Sequence, residues 1–339
     1  MIFVTGGSGL IGSFLIPALV ARGEKVRALY RQHIPQTLAA LGVDWVQGDL
    51  LDPLLMRQTL AGVTHVFHCA GLVSYAPQDE DALLQINVEG TANVVDACLE
   101  QGGIRLCHVS SVAALGGAAT PEGGSLVGPQ VLDEAAKWDL GAAHSAYATS
   151  KYLGELEVWR GISEGLAAVI VNPSVVLGPA DWTRSSTRLL RYAHQEHRFY
   201  TPGTINVVDV RDVVDHMLRL TLELPVQNER YVLSAAAVPL QEVLSQAARC
   251  FGKKPPTAAV PDWAAEVIWR AEHVRGMLTG SRPLITKDTA RAGRQQLVYN
   301  AAKVQRTTGL PFRSVADTIA WCCQELQRNV ATSGAVVVS

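Results

Sequence analysis

Tyr147-Ala148-Thr149-Ser150-Lys151 sets a phenol and an ammonium four residues apart. On a helix, that spacing puts both groups on one face. A lysine charge beside a phenol lowers its pKa from the reference of about 10, which makes the tyrosine an acid or base usable near neutral pH. The spacing alone does not choose its site. With 8 Tyr among 339 residues, chance predicts less than one such pair, yet Tyr299 and Lys303 form a second. Context separates the two. Ser110-Ser111 end an apolar run ahead of Tyr147, where a hydroxyl and the phenol can meet at one carbonyl. Tyr299 follows Gln295-Gln296-Leu297-Val298, in a region with no glycine turn and no serine partner. The chemistry is therefore assigned to Tyr147 and Lys151, and Tyr299 and Lys303 are read as structural or surface residues.

Gly6, Gly9 and Gly12 follow the apolar run Ile2-Phe3-Val4 directly and open the helical pattern Leu10 to Arg22. Glycines at a strand–helix junction let the backbone turn tightly and approach a pyrophosphate, and the helix N-terminus attracts its charge. The next strand, Val26 to Arg31, ends where NAD enzymes place an acid, about 20 residues beyond the glycines. Tyr30 stands there instead, followed by Arg31. An acid repels a ribose 2′-phosphate and an arginine pairs with it, so NADP is favoured, with NAD possible. The alternative for Arg31 is a solvated surface arginine.

The elements around these residues follow one rhythm. Lys25–Tyr30, Val43–Gln47, Val63–Cys69, Ile104–Ser110 and Ala167–Val171 read as further strands, and 79–101 and 146–164 as helices. Short apolar strands alternating with helices predict a doubly wound parallel α/β sheet. Ile205–Val208 and Tyr231–Leu233 are further strand candidates around a helix at 210–223, and 240–327 reads as mainly helical. Residues 1–180 are thus a dinucleotide-binding domain to which 205–235 return. Residues 181–204 and 236–328 form a smaller, mainly helical substrate domain, and 329–339 a frayed tail. The stretch Gly116–Gly128, rich in Gly, Ala, Pro and Ser, is a loop.

Composition excludes several classes. Hydrophobic residues make up 48% and charged residues 18%, which excludes a disordered chain. A formal net charge of -2 gives no electrostatic reason to bind nucleic acid. Residues 1–21 carry no charge, but Thr5-Gly6-Gly7-Ser8-Gly9 in their middle make a poor membrane span. The six cysteines show no metal-knuckle spacing and no disulfide framework, and read as reduced thiols of a cytoplasmic protein. The histidines suggest no metal site.

Beyond these residues, the chain resembles an extended short-chain dehydrogenase/reductase of the NAD-dependent epimerase/dehydratase type. The likeness runs in order through Thr5–Gly12, Gly48-Asp49-Leu50, His68-Cys69-Ala70-Gly71, Asn87–Thr91, Ser110-Ser111, Tyr147–Lys151 and Asn172–Pro179. The resemblance implies a Rossmann sheet with a C-terminal substrate domain. It implies that Tyr147 is the acid/base, Lys151 the ribose-binding base partner, and Ser111, rather than Ser110, the carbonyl-binding hydroxyl. It implies cofactor contacts from Gly6, Gly9, Leu10, Ile11, Gly12, Asp49, Leu50, Ala70, Gly71, Pro173 and Ser174. For Asp49 the alternative is a cap on the next turn, and for Asn87 a purely structural bond.

Departures narrow the reaction. Where sugar-nucleotide dehydratases of this family carry an Asp-Glu pair, the chain has Val112-Ala113. Asn172 stands where many sugar-nucleotide members have arginine. The segments 26–31 and 171–179 look like the dihydroflavonol-reductase and hydroxysteroid-dehydrogenase-like branch, which handles carbonyls and secondary alcohols on apolar molecules. Candidate pocket walls are Leu72–Pro77 with Tyr75, the interval before Tyr147, and 181–200 with Trp182. Arg184, Arg188, Arg191 and Arg198 are read as a solvated face, with contact to an anionic substrate as the alternative, and Trp263, Ile268 and Trp269 as packing rather than ligand contacts. An NADP(H)-dependent carbonyl reductase is the leading expectation. A nucleotide-sugar epimerase and a non-catalytic NADP-binding sensor are the alternatives. Family members often pair through helices equivalent to 79–101 and 146–164, which makes a homodimer using Leu153, Leu156 and Trp159 one expectation, with packing of these residues on the sheet as the alternative.

Overall fold

The computed structural model describes residues 1–116, 130–180, 182, 187–261, 264 and 297–333. Arg184, Trp263, Ile268, Trp269, nearly all of the 116–128 loop and the last residues of the tail lie outside the described residues.

In chain order the described strands are β1 (Ile2–Thr5), β2 (Val26–Tyr30), β3 (Asp44–Gln47), β4 (His65–His68), β5 (Arg105–Val109), β6 (Gln130–Leu132) and β7 (Ala167–Pro173). They continue with β8 (Val175–Leu177), β9 (Phe199–Tyr200), β10 (Thr204–Asp209), β11 (Glu229–Leu233), β12 (Ala236–Pro239), β13 (Ala258–Ala259) and β14 (Leu297–Tyr299). Seven of them form one parallel sheet in the order β11-β7-β5-β4-β1-β2-β3.

The sheet is covered on both faces, which is why its strands read as unbroken apolar runs. Alternate residues face opposite layers. Ile2 and Val4 join Leu15, Leu19, Val213 and Met217, from the helices Leu10–Ala21 and Val210–Leu218. Phe3 joins Met56, Val94 and Val158, from the helices Pro53–Thr59, Gly90–Gln101 and Ala146–Ser163. The chain order reverses between β1 and β4, so the crevice for a ligand opens at their C-terminal ends.

Within 205–235, β11 takes the sheet edge beside β7, and the helix Val210–Leu218 packs on Leu10–Ala21. The strand β10 belongs elsewhere: it pairs parallel with β8 and antiparallel with β12. A third core gathers Leu177, Leu190, Val207, Val243, Ile319 and Cys322 from this C-terminal part.

The helix expected over 79–101 is divided. A turn of π-helix, Gln85–Glu89, separates Glu80–Leu84 from Gly90–Gln101. Such turns insert one residue into the helical ladder and re-aim a side chain, here Asn87. All six cysteines are free. Among the described residues no helix is long and apolar enough to cross a membrane.

Candidate active site

The crevice is built from glycine outward. Gly6 has φ +68°, and a Cβ on it would stand 2.5 Å from the Ala70 nitrogen. A Cβ on Gly12 would strike the Gly6 carbonyl. Gly9 caps the helix Leu10–Ala21 with no side chain, which leaves the first amides, of Leu10, Ile11 and Gly12, to an anion. These residues fit the pyrophosphate of a dinucleotide: the turn is bare, close-packed and ends on a helix dipole.

At the end of β2 the Arg31 side chain is 63% exposed, with Nη1 4.0 Å from Asp49 Oδ2. Asp49 Oδ1 also accepts from the Leu51 amide at 3.1 Å, so this carboxylate shapes its own turn and faces the arginine. Leu50 is buried, and its carbonyl accepts from Asn93 at 2.9 Å.

The segment beyond β4 is held by side chains. Thr5 Oγ1 accepts from the Ala70 amide at 3.2 Å and shares a 2.7 Å hydrogen bond with His68 Nδ1. His68 Nε2 meets Thr91 Oγ1 at 3.0 Å. Asn87 Oδ1 accepts from the Leu72 amide at 2.7 Å, and Asn87 Nδ2 donates to Ser150 Oγ at 2.9 Å. The π-turn thus clamps the loop after β4 onto the helix that carries Tyr147. Gly154 permits the approach, since a Cβ there would strike the Asn87 carbonyl.

Ser145 caps that helix by accepting from the Ala148 amide at 3.1 Å, which fixes Tyr147 in its first turn. Tyr147 is buried. Burial raises its phenol pKa, and a hydrogen bond with the Ser111 side chain opposes that rise. The opposing pull on the phenol therefore comes from Ser111, whereas a lysine charge was expected. Lys151, only 6% exposed, donates to the Val109 carbonyl at 2.9 Å. Burial lowers its pKa to about 8, against the raising influence of Glu155 and Cys69. A Cβ on Gly71 would lie 3.7 Å from Lys151 Nζ, so the Ala70-Gly71 segment runs beside the ammonium. Two buried histidines flank this position. Burial pushes His68 down to about 3 and holds His108 well below its usual value. Their rings stand 5.2 Å apart, and neither His108 nitrogen has a hydrogen-bond partner among the described residues.

The two serines ending β5 part ways. Ser110 Oγ donates to Glu155 Oε2 at 2.8 Å, while Ser111 Oγ accepts from the Ala113 amide at 3.2 Å and pulls the Tyr147 phenol down against burial. Pro173 ends β7, and the buried Ser174 Oγ has no partner among the described residues. Glu155 was not singled out in the sequence. Its signal was its place four residues after Lys151, on the same inward face.

The rim is apolar. The Tyr75 ring lies edge-on to Tyr147 at 5.5 Å, and Val73 beside it is 64% exposed. Trp138 stacks on His144 at 3.7 Å and on Tyr152 at 4.3 Å. Arg188 and Arg198 are exposed and Arg191 half-buried. Trp159 is half-buried and packs against the core under the sheet, while Leu156 is 41% exposed. Among the described residues no His, Cys, Asp and Glu group could hold a metal ion.

Comparison with known proteins agrees with this geometry. A profile of the NAD dependent epimerase/dehydratase family matches residues 2–233. A Synechocystis protein provisionally named dihydroflavonol 4-reductase is 34% identical over 94% of this chain and 93% of its own. Sterol demethylase protein B of Methylococcus capsulatus is 33% identical over 76% of each chain. The solved structure of gox2253 superposes with a TM-score of 0.80 at 29% identity, covering 97% of this chain and 98% of that one. The chain belongs to the NAD dependent epimerase/dehydratase family and is an NAD(P)-dependent oxidoreductase of the extended short-chain type.

Proposed function

We propose that the protein reduces a ketone or aldehyde on a small, fairly apolar molecule, or oxidises the matching secondary alcohol, with NADP(H). The observation that carries this reading is that one helix buries both the Tyr147 phenol, whose pKa the Ser111 hydroxyl pulls against burial, and the Lys151 ammonium, held on the Val109 carbonyl at 2.9 Å. When bound, the reduced cofactor supplies the hydride. Gly6, Gly9, Leu10, Ile11 and Gly12 would take its pyrophosphate, Arg31 its 2′-phosphate, and Asp49 with Leu50 its adenine. Ala70, Gly71, Pro173 and Ser174 would flank the nicotinamide half, and Lys151 its ribose.

Ser111 donates to the substrate oxygen and orients it. Tyr147 gives the same oxygen its proton. A phenol whose pKa is raised by burial stays protonated near neutrality, which suits an acid in the reducing direction. The oxygen gains charge as the bond forms, so two aimed hydroxyls favour the transition state over the ground state. Tyr75 and Val73 at the rim favour an apolar substrate. The Synechocystis relative's name supports the reaction class, and the Methylococcus relative's name supports an apolar substrate.

Assembly as a homodimer through residues 79–101 and 146–164 belongs to the same reading, with Leu84 and Leu156 as exposed apolar residues there. Six free thiols favour the cytoplasm. Light scattering that found a monomer at micromolar concentration would remove the dimer.

The function is tested by incubating the protein with NADPH and a panel of ketones and aldehydes while following NADPH absorbance. Net oxidation with an apolar carbonyl is expected. Retained NAD with interconversion of sugar nucleotides and no net oxidation would mark an epimerase instead. NADP binding with neither activity would mark a sensor.

A further inference from the structure

We propose that Glu155 is a positioning residue: it ties the helix bearing Tyr147 and Lys151 to the ends of three sheet strands and supplies the counter-charge for Lys151. The proposal rests on the assignment of Lys151 to the cofactor ribose.

Glu155 is 2% exposed, yet it accepts four hydrogen bonds. Its Oε2 takes Ser110 Oγ from the end of β5 at 2.8 Å and Asn172 Nδ2 from β7 at 2.7 Å. Its Oε1 takes Arg230 Nη1 from β11 at 3.1 Å and Trp159 Nε1 from its own helix at 3.3 Å. Three adjacent strands thus converge on one carboxylate of the Tyr147 helix. Replacing a largely buried ion pair by well-packed apolar residues is often neutral for stability, so stability is a weak account of this carboxylate.

Its effect reaches the reacting groups by two routes. The first is geometric. Holding Ser110 toward Glu155 turns the next residue of an extended chain the other way, and that residue is Ser111. Asn172 Nδ2 also donates to the Ser111 carbonyl at 3.0 Å, so the amide bound to Glu155 fixes the Ser111 backbone. The second route is electrostatic. Lys151 lies one helical turn before Glu155 on the same face. Facing Lys151 are Glu155 from its own helix, His68 and Cys69 from the β4 end, and His108 from β5. Burial holds both histidines below their usual values and pushes the Cys69 thiol up, which leaves all three uncharged. Facing Glu155 are Arg230 and the uncharged Ser110, Asn172 and Trp159. Glu155 is thus the acid of this group, and it opposes the desolvation of Lys151.

The test is NADPH binding by fluorescence from about pH 7 to about pH 9.5, a range that spans the titration of a desolvated lysine. The proteins compared are the wild type, Glu155→Gln, Glu155→Gln with Arg230→Met, and Lys151→Met. Gln keeps the size and an acceptor but loses the charge. The double variant also removes the half-buried Arg230, whose Nη1 would otherwise lose its carboxylate partner, and so relieves the strain of the single variant. Wild-type affinity should fall as pH rises through the titration of Lys151. In both Glu155 variants the fall should begin about one pH unit lower, a loss of roughly fivefold in affinity at mid-range. A wild-type midpoint in both would overturn the proposal, as would failure of both to fold, since Glu155 would then serve the fold alone. Lys151→Met separates the two levels. If it loses affinity while the Glu155 variants keep the wild-type midpoint, only the role of Glu155 fails. If it binds NADPH like the wild type, the cofactor assignment fails and takes this proposal with it.

Discussion

Tyr147-x-x-x-Lys151 and Tyr299-x-x-x-Lys303 share a spacing and almost nothing else. Tyr147 opens a helix capped by Ser145, and Lys151 follows on the same helix. Tyr299 ends β14, which pairs with β6, and Lys303 lies on the next helix, Ala302–Thr308. A four-residue interval makes one face only when all of it is helical. The ammonium groups differ accordingly. Lys151 is buried against the Val109 carbonyl, with its pKa lowered to about 8. Lys303 reaches the Glu229 carboxylate at 2.8 Å and the Arg230 carbonyl at 2.9 Å, and lies 4.6 Å from the Tyr231 ring. One lysine is kept dry beside a crevice, and the other fastens a helix to the edge strand β11. Burial raises both phenols, Tyr299 to about 12, but only Tyr147 has a serine hydroxyl to oppose it.

The hardest blow to this contrast would come from the tyrosines. Tyr147→Phe should lower turnover of any carbonyl substrate by about 10²–10⁴-fold, the usual loss for a positioned general acid, while NADPH still binds. Tyr299→Phe should stay within about twofold of the wild type, since it touches no reacting group. Steady-state rates at saturating cofactor decide it, and full activity in Tyr147→Phe would end the mechanism.

A smaller effect, of about tenfold, is expected where the cofactor is chosen. Arg31→Ala should weaken NADPH binding about tenfold, the loss of one charge-assisted contact, and leave NADH unchanged. Side-by-side dissociation constants check this, and tighter binding of NADH by the wild type would reverse the NADP assignment.

The two lysines should also separate in stability against pH. Lys151 has a folded pKa near 8, below its ordinary value of 10.5. Between those values the unfolded chain binds the extra proton, so a rise in pH favours the folded state. Relative to Lys151→Met, the wild type should therefore gain on the order of 1–3 kcal/mol from pH 8 to pH 10, measured by urea unfolding. A constant difference would mean that Lys151 is not desolvated. The smallest effect belongs to Lys303→Met. Its half-exposed ion pair with Glu229 should be worth at most about 1 kcal/mol, with cofactor affinity unaltered.

Much of the fold was legible because the seven-stranded sheet is buried on both faces. A strand such as Ile2–Thr5 then carries no polar face to obscure it, and the glycines after it mark the turn. The strand β10 was legible as a strand but not as a member of a separate sheet. Its run Thr204–Asp209 gives the local signal of any short strand, and partners about 30 residues away on both sides are invisible locally. The π-turn at Gln85–Glu89 was hidden for a similar reason. The local sequence is compatible with a plain helix, while the approach of Gly154 and the Leu72 backbone pulls Asn87 out of one.

By itself the sequence determined which residues are able to do the chemistry. A glycine turn after a buried strand, a paired serine and a Tyr–Lys spacing are local facts of covalent geometry and side-chain type. Context and resemblance already favoured one member of each repeated signal; only the tertiary structure gave the surroundings that make the members physically different. Ser110 turns to Glu155 and Ser111 to Tyr147, and Lys151 is desolvated while Lys303 is paired. Those outcomes depend on which strands and helices lie alongside, since burial and electrostatic interaction are set by distance through space and not by separation along the chain.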